Sequence, residues 1–198
     1  MLAASNLETS NGIQMIFAYV LLTAFFLIEF FLRKDKTAKN IDATEKDNKS
    51  TKLIGLTFFI VLIVSVVFNL LKIGTFHNNV LSVAGIIVMV VGLFMRVWSM
   101  ATLNRYYTRT LITVEQQSII TKGPYKIIRH PGYLGTMFIW SGAGIAMRNI
   151  VIFAIGTILM AIVYYYRIQN EEKMLQEQFG RQYLDYQKHS WKLIPLLW

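Results

Sequence analysis

Long apolar runs alternate with short polar breaks along this chain. The apolar runs occupy 13–32, 53–71, 80–103, 133–147 and 150–166. The first three approach or exceed the roughly 20 residues a helix needs to cross a hydrocarbon core of about 30 Å, and the last two are shorter, near that limit. Lys72 to Asn79 separates the second run from the third, and only Arg148-Asn149 separates the fourth from the fifth, so each pair reads as a helical hairpin. The pattern predicts an all-α protein: a polytopic membrane helical bundle of about five transmembrane helices, with a C-terminal helix on the cytoplasmic side and one integral membrane domain over 1–198. No internal repeat is visible, which gives an inverted-repeat transporter little support.

Composition agrees with this class, since 55% of the 198 residues are hydrophobic and only 16% are charged. The net charge of +9 does not mark a nucleic-acid face, because the bases sit in the breaks between apolar runs. They set orientation instead. Seven basic residues lie between 33 and 52, five between 104 and 132, and five after 166, whereas the other two connections hold only Lys72 and Arg148. Loops rich in Lys and Arg stay inside, so five spans with the N-terminus outside place all three basic segments, and the C-terminus, in the cytoplasm. In a prokaryote that membrane is the plasma or inner membrane. Residues 1–12 carry no basic residue before the first run, so this start reads as a retained span and not as a cleaved leader. Residues 33–52 read as a polar cytoplasmic loop to which no function is given. The sequence has no cysteine, which excludes disulfides, thiol nucleophiles and zinc-thiolate sites within it.

The densest polar and turn-forming stretch, Lys122 to Gly135, stands between two apolar runs. Gly123-Pro124-Tyr125 and Pro131-Gly132 are turn signals, so Lys126 to His130 is held between two points of restricted backbone. Arg129 and His130 are thereby presented at the mouth of the fourth run. Tyr125, Arg129 and Tyr133 fit interfacial anchors as well as a ligand site. His130, between Arg and Pro, has the donor and acceptor chemistry of a polar pocket.

From Arg167 the pattern is helical. Arg167 and Glu171 share a face, and Leu175, Phe179, Tyr183 and Tyr186 form a stripe at spacings of four and three, with Gly180 ending or bending the helix. An arginine directly after Tyr164-Tyr165-Tyr166, at the inner end of an apolar run, is costly and more often functional than an ordinary i,i+4 partner. Glu171-Glu172 adds two carboxylates on a basic side, suited to ribose hydroxyls or an ammonium group. Arg96 lies inside the third run, where snorkelling and a role within the bundle both fit. Glu29 is expected at the interface. His77 and His189 are isolated and no partner stands at metal-ligand spacing from His130, so no metal site is expected. Neither a Gly-x-Gly-x-x-Gly fingerprint nor a P-loop is present.

Taken together, Gly123-Pro-Tyr, Arg129-His-Pro-x-Tyr-x-Gly135, Arg167 with Glu171-Glu172, Phe179-Gly180, Tyr183, Tyr186 and Ile194-Pro195 resemble the isoprenylcysteine carboxyl methyltransferase family of integral membrane enzymes and its phospholipid-methylating relatives. The resemblance runs over about 96–195 and marks that stretch as a methyltransferase-like core. It implies S-adenosylmethionine in a cytoplasm-facing pocket and a lipid-like or prenylated acceptor entering from the bilayer. It assigns the cofactor to Gln117, Ser118, Ile119, Ile120, Tyr125, His130, Pro131, Gly132, Tyr133, Glu171 and Glu172, the acceptor to Arg167, and catalysis to Arg167 and His130. One departure is Asn104, where many relatives have Gly.

The implied chemistry is consistent with these residue types. A carboxylate with a pKa near 4 is already ionised and needs no general base. Its reaction with a sulfonium consumes both charges, which a dry site favours once the pair is in line. The planar fork of Arg167 suits a carboxylate. An amine acceptor would need a base, and His130 or Glu172 are the groups to consider. The readings to be separated are thus a carboxyl methyltransferase, a phospholipid amine methyltransferase, a sterol-type reductase using NADPH, and a non-catalytic membrane scaffold.

Overall fold

The computed structural model describes residues 2–31, 45–104 and 118–195. Six helices account for most of them: α1 (Leu2–Phe31), α2 (Glu45–Leu70), α3 (Asn79–Leu103), α4 (Pro131–Ala146), α5 (Ile150–Phe179) and α6 (Arg181–Lys188). Among the described residues there is no strand, only two isolated bridges. Four helical stretches, Gly12–Phe31, Lys49–Leu70, Asn79–Leu103 and Ile150–Phe179, are long and apolar enough to cross a membrane. The fourth apolar run becomes α4, whose 16 residues measure about 24 Å at 1.5 Å per residue. It is the shortest of the five, and length alone does not carry it across.

Each long helix buries one narrow stripe and leaves the rest apolar and exposed. On α3 the buried stripe runs through Ser82, Gly85, Met89, Gly92, Arg96 and Ser99 in a three-four alternation, with Met100 buried beside its end, while Val80, Val83, Ile87, Val90, Val91 and Phe94 face outward. On α1, Ala18, Leu22, Phe25 and Glu29 repeat the pattern. Polar and small residues inside with large apolar residues outside is what a lipid solvent selects, because the helix backbone is already satisfied and lipid adds no cost to an apolar face.

Helices α3 and α4 pack closest, antiparallel, through facing glycines. A Cβ on Gly92 would lie 2.5 Å from the Gly135 carbonyl oxygen, and one on Gly85 would lie 2.4 Å from the Ala146 nitrogen. Gly135 and Gly142 return the same contacts from α4. The Ser82 hydroxyl donates to the Ala146 carbonyl at 2.6 Å, fixing the register. An aromatic centre of Phe25, Phe26, Phe58 and Trp140 ties α1 and α2 to α4, with Phe58 and Trp140 stacked at 5.4 Å.

The two hairpins meet at one end. Asn149 caps α5 by accepting from the Val151 and Ile152 amides, while its own amide group donates to the Ile73 carbonyl. The Phe76 amide donates to Arg148 and the Ile150 amide to Gly74. At the other end α5 outruns the bundle: 30 residues reach about 45 Å, more than a core of about 30 Å, so its last turns stand clear of the apolar layer. Gly180, at φ +51, stops α5 and starts α6, as the sequence suggested.

Candidate active site

The polar residues singled out in the sequence converge at the end of the bundle opposite the hairpin turns. Gly123, at φ +58, opens a 3-10 turn over Gly123–Lys126, and Pro131 occupies the first turn of α4. Proline is tolerated there because the first helical N–H has no intrahelical acceptor. The segment between is held from the C-terminal side as well. The Arg129 amide donates to the Trp191 carbonyl and the Trp191 amide to the Ile127 carbonyl, both at 2.8 Å.

Glu172 is the hub of an ion-pair cluster. Its Oε1 accepts from Arg129 Nε at 2.8 Å and lies 3.3 Å from His130 Nε2, while its Oε2 is 3.2 Å from Lys192 Nζ. The Glu172 side chain is 7% exposed, and one buried carboxylate shared by such groups joins α4, α5 and the C-terminal segment. Arg129 also donates to the backbone carbonyls of Gln187 and Ser190. His130 is buried and stacked parallel to Tyr133, with ring centres 5.6 Å apart.

Glu171 faces a different neighbourhood. The Tyr133 hydroxyl donates to Glu171 Oε2 at 2.6 Å and accepts from Arg167 Nε at 3.3 Å, so one phenol links the guanidinium and the carboxylate. The Glu171 side chain is 24% exposed, the most accessible charged group of the cluster. Arg167 is buried at 2% exposure, and its Nη1 donates to the hydroxyls of Ser50 at 2.6 Å and Thr51 at 3.2 Å. The Tyr133 ring also stacks on Tyr164 at 4.8 Å, which fixes the phenol that makes the link.

A second polar pair lies below this cluster. Arg96 Nε donates to Glu29 Oε1 at 2.6 Å, with both residues buried. Arg96 therefore turns into the bundle instead of snorkelling, and Glu29 is an interior residue instead of the interfacial one expected. A Cβ on Gly132 would come within 3.0 Å of Arg96 Nη1, so Arg96 stands directly against the first turn of α4.

Tyr125 is buried, and its carbonyl accepts a 2.6 Å bond from the Tyr186 hydroxyl. Burial pushes the Tyr186 phenol up to about 12, which keeps it a donor at neutral pH. Burial raises Tyr183 further, and nearby Glu172 and Glu171 add to the effect.

Of the residues expected to hold the cofactor, His130, Tyr133, Glu171 and Glu172 meet here, with Pro131 and Gly132 forming the helix start between them. Ser118, Ile119 and Ile120 lie in the non-helical lead into the Gly123 turn, Ser118 exposed and the isoleucines half-buried. Gln117 lies outside the described residues, as do Arg105 and Arg109. Asn104 caps α3 at φ +47, a conformation that glycine adopts readily. Among the described residues no group of His, Asp and Glu has metal-binding geometry.

Sequence reasoning missed Ser50 and Thr51. Helix α2 begins at Glu45, within the stretch read as a polar loop, and delivers both hydroxyls to Arg167. No local signal marks them, since their partner is more than a hundred residues away. Lys192 and Ser190 escaped because their partners, Glu172 and Arg129, lie in other elements of the fold.

Fold and site define a polytopic helical membrane protein with a polar, carboxylate-bearing and arginine-bearing cluster at one end of its bundle. The model of the isoprenylcysteine carboxyl methyltransferase (ICMT) family matches residues 85–177. The chain is 29% identical over 190 residues to protein-S-isoprenylcysteine O-methyltransferase B of Arabidopsis thaliana, covering 89% of this chain and 93% of that one. It is 36% identical over 116 residues to the protein-S-isoprenylcysteine O-methyltransferase of Dictyostelium discoideum, 56% of this chain and 48% of the relative, so it spans about half of that protein's length. The solved structure of the eukaryotic intramembrane Ras methyltransferase ICMT shares the fold, with a TM-score of 0.63 at 24% identity over 89% of this chain and 64% of that one. The chain is thus similar to the isoprenylcysteine carboxyl methyltransferase family in sequence over 85–177 and to a solved member of it in fold.

Proposed function

We propose that this protein is an integral membrane methyltransferase that moves a methyl group from S-adenosylmethionine to the carboxylate of a prenylated or similarly hydrophobic acceptor. The observation that carries the reading is the relay Arg167–Tyr133–Glu171, in which one phenol joins a group suited to an anion and a group suited to a cation. Similarity to this family weighs against the nicotinamide reductase, and the acceptor class named in those relatives favours a carboxylate over a phospholipid amine.

The donor set fits the cofactor. A partly exposed carboxylate at Glu171 offers an acceptor for ribose or ammonium groups, beside the half-buried Tyr133 and the start of α4 at Gly132. Ser118, Ile119, Ile120 and Tyr125 would complete it, together with Gln117. When bound, S-adenosylmethionine supplies a methyl group on a positively charged sulfur. Arg167 would clamp the acceptor carboxylate and aim one oxygen, a task in which orientation replaces acid–base catalysis because no proton has to move. Tyr133 would hold Arg167 and Glu171 in mutual register. Glu172 serves the site by fixing Arg129, His130 and the C-terminal segment behind it. We place this end of the bundle, and the methyltransferase core over 96–195, at the cytoplasmic face, on the distribution of basic residues.

The test is transfer of radiolabelled methyl from S-adenosylmethionine to N-acetyl-S-farnesyl-L-cysteine by the detergent-purified chain. The expected product is a base-labile methyl ester. Label that resists base, or transfer only to phosphatidylethanolamine, would overturn the carboxylate assignment.

A further inference from the structure

Arg167 is approached from α2 as well as from α4 and α5. Its Nη1 donates to Ser50 Oγ at 2.6 Å and to Thr51 Oγ1 at 3.2 Å, and its Nε to the Tyr133 hydroxyl at 3.3 Å. Ser50 is 1% exposed and Arg167 2%, so the shorter of these contacts is made away from water, where hydrogen-bond geometry is enforced most strongly. Three hydroxyls on two helices therefore fix the plane of the guanidinium. Hydroxyls accept from it without adding countercharge of their own, so these three contacts orient the cation. Ser50 and Thr51 stand at the site end of α2, whose buried stripe continues through Thr57, Phe58, Val61 and Ser65 into the core.

We propose that Ser50 and Thr51 are positioning residues for the acceptor, setting the plane in which Arg167 meets the acceptor carboxylate; this rests on the reading of Arg167 given above. The pair makes the N-terminal half of the chain part of the site. A bidentate contact between guanidinium and carboxylate depends on coplanarity, so releasing the Nη1 edge costs alignment before it costs charge.

The experiment compares Ser50→Ala/Thr51→Val, Thr51→Ser and Arg167→Ala with the wild type in steady-state methylation of N-acetyl-S-farnesyl-L-cysteine. S-adenosylhomocysteine affinity is measured by calorimetry on the same preparations. The double variant is expected to raise the KM for the farnesyl cysteine and lower kcat by about tenfold in kcat/KM, with S-adenosylhomocysteine affinity within about twofold and Thr51→Ser near wild type. A merely structural role would weaken both ligands alike, and that result overturns the proposal. Unchanged acceptor kinetics in the double variant, with turnover abolished in Arg167→Ala, overturns the positioning role while leaving the reading of Arg167 intact. Failure of the wild type to methylate the probe, or full activity in Arg167→Ala, overturns that reading and the positioning role with it. Ser50→Ala alone, which deletes only the 2.6 Å contact, is read in the same way if the double variant does not fold.

Discussion

Both ends of this bundle bury an arginine, and they use it differently. At the hairpin end Arg148 is 5% exposed and donates to the side-chain oxygens of Gln14 and Asn79, while its Nε has no partner. Its partners are neutral amides, and together they join α1, α3 and the α4–α5 turn. At the other end Arg129 meets a carboxylate, and Arg167 meets hydroxyls in a relay that ends on a second carboxylate. A buried cation at a membrane boundary is therefore not by itself a sign of chemistry. What separates the two ends is the company: ionisable partners on several elements, one of them still accessible, stand only at the end proposed as the active site among the described residues.

The comparison is broken most directly at Arg167. Arg167→Ala is expected to reduce turnover of a farnesyl cysteine by at least about a hundredfold, the scale seen when a group aligning reactants is lost, and to leave S-adenosylhomocysteine affinity within about threefold. Loss of cofactor binding with retained turnover would reverse the roles of Arg167 and Glu171. Glu172→Ala should act on stability instead. It leaves Arg129 and Lys192 without their shared carboxylate, and breaking such a buried cluster costs about 3 kcal/mol. Thermal or denaturant unfolding in detergent would show it. If Glu172→Ala unfolds like the wild type, the cluster is not the clasp described.

Arg148→Met sharpens the contrast from the other side. Deleting hydrogen bonds to two amides, while relieving an unsatisfied buried Nε, should lower stability by only about 1 kcal/mol. Turnover and cofactor affinity should stay within about twofold. A fall in turnover comparable to that of Arg167→Ala would mean that the two ends are coupled and that Arg148 also serves the chemistry.

Much of this arrangement was legible in the sequence because its signals are local. The apolar runs gave the helices, Gly123-Pro124 and Pro131 gave the turn and helix start that carry Arg129 and His130, and the four-residue spacing put Arg167 and Glu171 on one face. What could not be read was long-range. That Tyr133 stands between Arg167 and Glu171 depends on how α4 packs on α5. The seven-residue spacing of Gly85 with Gly92, and of Gly135 with Gly142, was a readable trace of the close α3–α4 contact that composition alone passed over. Glu29 and Arg96 fall in different apolar runs, and each is an isolated charge until the bundle brings them together. Ser50 and Thr51 looked like the tail of a solvated loop because polar composition reports solubility, not where a helix begins.

The smallest effect concerns the outer support of the site. The Tyr186 hydroxyl holds the Tyr125 carbonyl at 2.6 Å, so Tyr186→Phe should cost about 1 kcal/mol and leave Arg167 chemistry untouched. Its pH signature is more telling than its size. Burial holds the Tyr186 phenol protonated up to about 12, whereas in the unfolded chain a tyrosine ionises near 10. A group whose pKa is higher in the folded state contributes its full stability below the unfolded value and loses it as pH rises through the folded one. Stability of the wild type should therefore hold to about pH 10 and fall between there and about 12, with Tyr183, raised in the same direction, contributing to the fall. Unfolding curves across that window should be shallower in pH for Tyr186→Phe than for the wild type. Parallel curves would mean that the phenol is solvated, and that the C-terminal segment rests on the Glu172 cluster and the Trp191 backbone bonds without it.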